Sequence, residues 1–82
     1  MKIERLAGKF AAKEATLKAL GTGLASGICW LDVEVLREKS GAPRIRLGGR
    51  ASAIALRAGI RAVHVSITHS GTQALAFVVA ET

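Results

Sequence analysis

Hydrophobic period is what most limits the folds open to this chain, and it switches between strand and helix spacing three times along the 82 residues. Val63, Val65 and Ile67 alternate with His64, Ser66 and Thr68. Such alternation over several residues reads as a half-buried strand. His69-Ser70-Gly71-Thr72 forms a tight connection, and Ala74 to Ala80 is then apolar on both faces, as a central strand would be. The beginning of the chain has the other period. Ile3, Leu6, Phe10, Leu17 and Leu20 fall at helical spacing, with small Ala11 and Ala12 between them. A helix over about residues 3–20 is therefore predicted, stopped by Gly21 and Gly23.

Between these ends the pattern is finer. Ile28 to Arg37 reads as a strand, because Leu31, Val33 and Val35 alternate with Asp32 and Glu34. Lys39-Ser40-Gly41-Ala42-Pro43 is a turn, and Arg44 to Leu47 a short returning strand. Arg50 to Ala58 carries Ala51, Ile54, Ala55 and Ala58 on one side, which predicts a second helix ended by Gly59. The order is α-β-β-α-β-β. Two helices and two hairpins predict one small α+β domain over residues 1–82, with a mostly antiparallel sheet.

A domain this short buries a modest share of its unfolded surface, and small folds often compensate by oligomerising. One cysteine, Cys29, excludes an intramolecular disulfide and fits a reducing compartment. Its place beside Trp30 in an apolar stretch predicts a packed, unreactive thiol. The start Met1-Lys2-Ile3-Glu4-Arg5 is followed by no apolar h-region, and no apolar run is long enough for a membrane span. The expected location is the cytoplasm, with no membrane partner. The net charge of +6 favours an anionic partner. Phe10, Trp30 and Phe77 are the only aromatics, too few for the stacking platform of a single-strand nucleic-acid binder.

Few residues offer chemistry. Lys9 and Lys13 are four apart, as are Glu14 and Lys18, so the pairs occupy neighbouring helical surfaces. Glu14 and Lys18 have the right orientation for a surface ion pair. The same spacing suits a carboxylate that helps hold a divalent cation among lysines that meet phosphate. Gly21-Thr22-Gly23 is either a helix cap or a turn whose amides approach an anion. Ser66, Thr68 and His69 lack the Gly-x-Ser-x-Gly elbow of a hydrolase. His64 and His69 are too few for a zinc site, and His64 reads as part of a solvated strand face.

Ala7-Gly8-Lys9-Phe10-Ala11-Ala12-Lys13-Glu14-Ala15, followed in register by Lys18-Ala19-Leu20-Gly21-Thr22-Gly23, resembles the long motif of the holo-(acyl-carrier-protein) synthases. Ser40-Gly41-Ala42-Pro43 is similar to their Gly-x-Pro hairpin, and Val63 to His69 to their closing strand motif. The resemblance implies a 4′-phosphopantetheinyl transferase-like fold. It also implies transfer of the phosphopantetheine arm of coenzyme A to a serine of an acidic acyl carrier protein. Under it, Glu14 is the magnesium ligand and Lys18 stands by the coenzyme A pyrophosphate, and these two are the candidate catalytic residues. Lys9 lies near the cofactor's phosphates, His69 near the nucleotide and Pro43 near the adenine; Lys13, by its charge, and Gly21 and Gly23, by amides that can approach an anion, are further candidate cofactor-binding residues with Lys18. Lys9 stands where the family often has arginine, which keeps the charge and loses the bidentate fork. A homotrimer with sites between subunits is implied as well.

One departure accompanies the resemblance. The family's opening strand, with its Gly-x-Asp-x-x-Glu motif, and the basic helix after it have no counterpart in these residues. That aspartate is the family's other magnesium ligand, and Asp32 and Glu34 match no family ligand. Two further readings therefore stand beside the transferase: a coenzyme A-binding or interaction module without catalysis, and a basic RNA-binding domain.

Overall fold

The computed structural model describes residues 3–21 and 27–82. Helix α1 spans Ile3–Ala19, strands β1 and β2 span Val33–Arg37 and Pro43–Leu47, and helix α2 spans Gly49–Arg57. Strands β3 and β4 span Ala62–Ser70 and Gln73–Glu81. The α-β-β-α-β-β order and the α+β class are as the periodicity predicts.

Helix α1 has no proline and ends with Lys18 in its last turn, where a cation complements the helix dipole. Gly21 closes it at φ +78°, a left-handed conformation that suits glycine, and its N–H donates to the Lys18 carbonyl at 3.0 Å. Thr16 is fully buried in this helix. Its Oγ1 donates back to the Ala12 carbonyl at 2.7 Å, so the hydroxyl keeps a partner inside the core. Leu17 and Leu20 lead a core completed by Ile28, Val33, Ala51 and Ala55. Trp30, Ile45, Leu47, Ile54 and Ile60 pack around it. Leu6 and Phe10, which share the helical spacing, are more than half exposed. The apolar stripe read from the sequence is thus buried in its second half only.

The expected strand from Ile28 is shorter than its alternation suggests. Residues Trp30–Asp32 form a single 3-10 turn, and β1 begins at Val33. Asp32 causes the change. Its Oδ2 accepts the Cys29 N–H at 3.1 Å, and its carbonyl accepts the Gly48 N–H at 2.8 Å. The same aspartate thereby ties this turn to the start of α2. Gly49 makes that closeness possible: a Cβ there would stand 2.7 Å from Asp32 Oδ1. Leu31 consequently points outward, 81% exposed. Cys29 is exposed too, which corrects the expectation of a packed thiol.

The antiparallel pairing expected takes the form of two hairpins, each a two-stranded sheet. In the first, Val33 pairs with Leu47, Val35 with Ile45 and Arg37 with Pro43. In the second, His64 pairs with Val79, Ser66 with Phe77 and Ser70 with Gln73. The second loop has two residues, and Gly71 at its first position has φ +62°, the place where II′ hairpin turns require glycine. Strand β4 runs along α1 and has β3 as its neighbour, so among the described residues it is not central. Ala74, Ala76, Val78 and Ala80 are half-buried, whereas Leu75, Phe77 and Val79 are exposed.

Candidate functional site

The residues singled out in the sequence fall into two groups on opposite flanks of α1. Lys9 and Glu14 are five positions apart, about 140° around an axis of 3.6 residues per turn. Lys9 lies on the flank that faces the two hairpins. There it lines an open cavity of about 260 Å³ together with Gly8, Val35, Leu36, Arg37, Pro43, Ile67 and His69. Three candidates distant in sequence, Lys9, Pro43 and His69, are thus brought to one opening by α1, β2 and β3.

Gly8 governs how closely these parts meet. It is buried, and a Cβ on it would lie 2.9 Å from His69 Cε1, 3.2 Å from Ile67 Cγ2 and 3.3 Å from His69 Nε2. The helix backbone is therefore the floor on which the His69 ring rests. Gly8→Ala sets two effects against each other. Alanine improves helix propensity by about 1 kcal/mol, and the methyl group displaces the imidazole. The expected outcome is a melting temperature close to the parent's and shifted His69 ring resonances by NMR. An unchanged His69 spectrum would show that the ring does not depend on this glycine.

Lys13 is held elsewhere. Its Nζ donates to the Trp30 carbonyl at 3.2 Å and stands 5.0 Å from the centre of the indole ring. Phe10 meets the same ring at a centroid distance of 5.4 Å. This arrangement gives Lys13 a packing partner and a cation–π contact, and it is not gathered with Lys9. The Gly21 N–H is likewise engaged in closing the helix. Gly23 lies outside the described residues.

On the other flank, Glu14 is exposed and lines a shallow groove with Leu6, Phe10, Thr72 and Gln73. Lys18 stands one turn further along the same side, also exposed. Among the described residues the salt bridges are Arg46–Glu34 at 2.9 Å and His64–Glu81 at 3.0 Å, so the Glu14–Lys18 ion pair allowed by spacing does not form. Among the described residues the Glu14 carboxylate has no ion-pair partner. Asp32 and Glu34 are committed, one to the chain turn and one to Arg46. Among the described residues no three acids, histidines or cysteines converge as a metal cluster. One exposed carboxylate still matches what magnesium takes from a protein when substrate phosphates and water supply the remaining ligands.

Pattern reading missed Arg37. It shares a strand face with Val33 and Val35, and in sequence alone it is like any arginine at a strand end.

The sequence profile of the 4′-phosphopantetheinyl transferase superfamily matches residues 2–78. The chain belongs to that family. It is 51% identical over 77 residues to a holo-[acyl-carrier-protein] synthase of Desulforudis audaxviator, covering 94% of this chain and 58% of the relative. A synthase of the same description from Koribacter versatilis is 44% identical over 79 residues, with 63% of its length covered. The chain thus spans about three fifths of these relatives. Among solved structures, the Helicobacter pylori holo-[acyl-carrier-protein] synthase in complex with coenzyme A superposes with a TM-score of 0.81 at 32% identity, covering 95% of this chain and 65% of that one. The Neisseria meningitidis synthase gives 0.80 at 36% identity, covering 89% of this chain and 58% of its own. The phosphopantetheinyl transferase-like fold expected from the motifs is therefore the fold observed. No described helix is long and apolar enough to cross a membrane.

Proposed function

We propose that these residues form most of a holo-(acyl-carrier-protein) synthase, which moves the 4′-phosphopantetheine arm from coenzyme A to a serine of an acidic acyl carrier protein. The observation that carries this reading is the cavity that brings Lys9, Pro43 and His69 together, residues that the resemblance places by the substrate's phosphates, adenine and nucleotide. Support comes also from the H. pylori synthase with coenzyme A, which shares the fold.

In this reaction the serine oxygen bonds to the phosphorus that carries pantetheine. The bridging P–O bond breaks, and adenosine 3′,5′-bisphosphate leaves. Lys9 and His69 hold the nucleotide end, with Pro43 against the adenine. Lys18 stabilises charge on the departing phosphate, where fixed cations are most effective. Glu14 would hold a magnesium ion, which as a Lewis acid neutralises pyrophosphate charge when bound.

Because Lys9 and His69 lie on one flank of α1 and Glu14 and Lys18 on the other, a complete site takes one flank from each of two copies. A homotrimer with its sites between subunits satisfies that requirement, and it covers the exposed face of Leu75, Phe77 and Val79. The setting is the cytoplasm, where coenzyme A and carrier protein meet.

Coenzyme A titration tests the reading. Binding is expected to weaken as salt rises, because exposed charges are screened. Lys18→Ala is expected to weaken it by about 1–3 kcal/mol, the range for hydrogen bonds to charged groups. Competition by RNA and not by coenzyme A would replace this reading with the nucleic-acid one.

A further inference from the structure

Arg37 closes strand β1 and stands directly across from Pro43. The turn beyond it is tightly bonded. The Glu38 N–H donates to the Ala42 carbonyl at 2.9 Å, and the Gly41 N–H to the Glu38 carbonyl at 2.8 Å, with Gly41 at φ +91°. The Gly41 carbonyl faces back toward the strand and accepts Arg37 Nη1 at 2.7 Å. A guanidinium has five N–H donors in a rigid plane. One is engaged by the turn, which orients the plane, and among the described residues the others have no partner.

The cavity walls sharpen the point. Val35, Leu36, Pro43 and Ile67 are apolar, and Lys9, Arg37 and His69 supply the polar groups from α1, β1 and β3. Among the described residues no carboxylate lines it. Glu34, two residues before Leu36, is held by Arg46. Two cations and an imidazole with no acid among them suit an anion. Apolar walls strengthen the attraction by lowering the local dielectric.

We infer that Arg37 is a specificity-determining residue whose guanidinium, steadied by the Gly41 carbonyl, grips a phosphate monoester in this cavity beside Lys9 and His69. Lysine at position 9 gives a point charge, and two phosphate oxygens are best matched by the planar fork of arginine. Arg37 supplies that fork from β1, so the charge from the helix and the geometry from the hairpin act on one group. The inference rests on the coenzyme A reading for its ligand. Coenzyme A carries a phosphate monoester on its ribose besides its pyrophosphate, and 3′-dephospho-coenzyme A lacks it.

The experiment compares both compounds by calorimetry on the parent, Arg37→Ala and Arg37→Lys. The side chain is exposed at a strand end, so the variants are expected to fold. Arg37→Ala should weaken coenzyme A about tenfold or more, as loss of a charge-assisted bond does, and 3′-dephospho-coenzyme A by less than about twofold. Arg37→Lys should recover only part of the loss, because charge without the fork is insufficient. Equal weakening of the two compounds, or no weakening of either, overturns the inference while the coenzyme A reading stands. If the parent binds neither compound, that reading fails, and inorganic phosphate then decides the inference. Saturable NMR shifts at Gly8, Arg37 and His69 that vanish in Arg37→Ala support it, and their absence in the parent overturns it.

Discussion

Glu14→Gln is expected to lower phosphopantetheine transfer by about a hundredfold or more, the scale on which misplacing reacting groups by about 1 Å acts, while coenzyme A still binds. Glutamine keeps the shape of glutamate and removes its charge. Glu14 is exposed, makes no salt bridge among the described residues and packs no core, so the substitution leaves the fold intact. The effect should be clearest in a polypeptide that supplies, ahead of Ile3, the family's strand with its second carboxylate and its basic helix. With Glu14 alone as a recognised carboxylate ligand, the 82 residues are expected to transfer the arm feebly or not at all. Magnesium gives up water reluctantly and needs near-octahedral order. The basic helix would add faster capture of an acidic carrier protein. Mass spectrometry of apo carrier protein incubated with coenzyme A and magnesium is the measurement. Rapid, complete modification by the 82 residues alone would show that another group does the work assigned to the added carboxylate. Full activity of Glu14→Gln would remove Glu14 from the site.

The second large effect concerns stability. Leu17→Ala is expected to destabilise the domain by about 2–5 kcal/mol, the range for truncating a buried leucine. Leu17 is 5% exposed and belongs to the core that also holds Val33 of β1 and Ala51 and Ala55 of α2. Ala51 and Ala55, buried in the same core, are too small to fill the cavity left behind. A domain of this size has a total stability of roughly 4–12 kcal/mol at 0.05–0.15 kcal/mol per residue, so the loss is a large fraction of it. The same truncation at Leu31, 81% exposed, should cost less than about 0.5 kcal/mol, as surface changes usually do. Chemical denaturation of both variants gives the comparison. Equal midpoints for the two would mean that the core does not centre on Leu17. Because Lys18 follows Leu17, the first variant should also loosen the end of α1 that carries Lys18.

Sequence alone determined the elements wherever local rules act without competition. The second hairpin was legible because strict alternation, a glycine-bearing loop and a second apolar run lie within twenty residues, and its pairing is local. Helix α1 was legible from composition and from the glycine that stops it. Glu14, Lys18, Lys9, Pro43 and His69 were named from motifs at fixed spacing, since residue type and interval suffice for that.

Tertiary structure decided the rest. The alternation around Asp32 looked like strand, and bonds to Cys29 and Gly48 turned it into a 3-10 turn. Glu14 and Lys18 were spaced as an ion pair and are not one, because spacing sets proximity and not side-chain direction. Lys13 had the charge for a phosphate and is held by Trp30, seventeen positions away. Arg37 carried a signal no stronger than that of any arginine at a strand end. It joins Lys9 and His69 only because α1, β1 and β3 meet around a glycine that brings helix and strand into contact. Period and spacing are properties of neighbouring residues. A site assembled from three elements depends on contacts between distant ones, and those are set by packing.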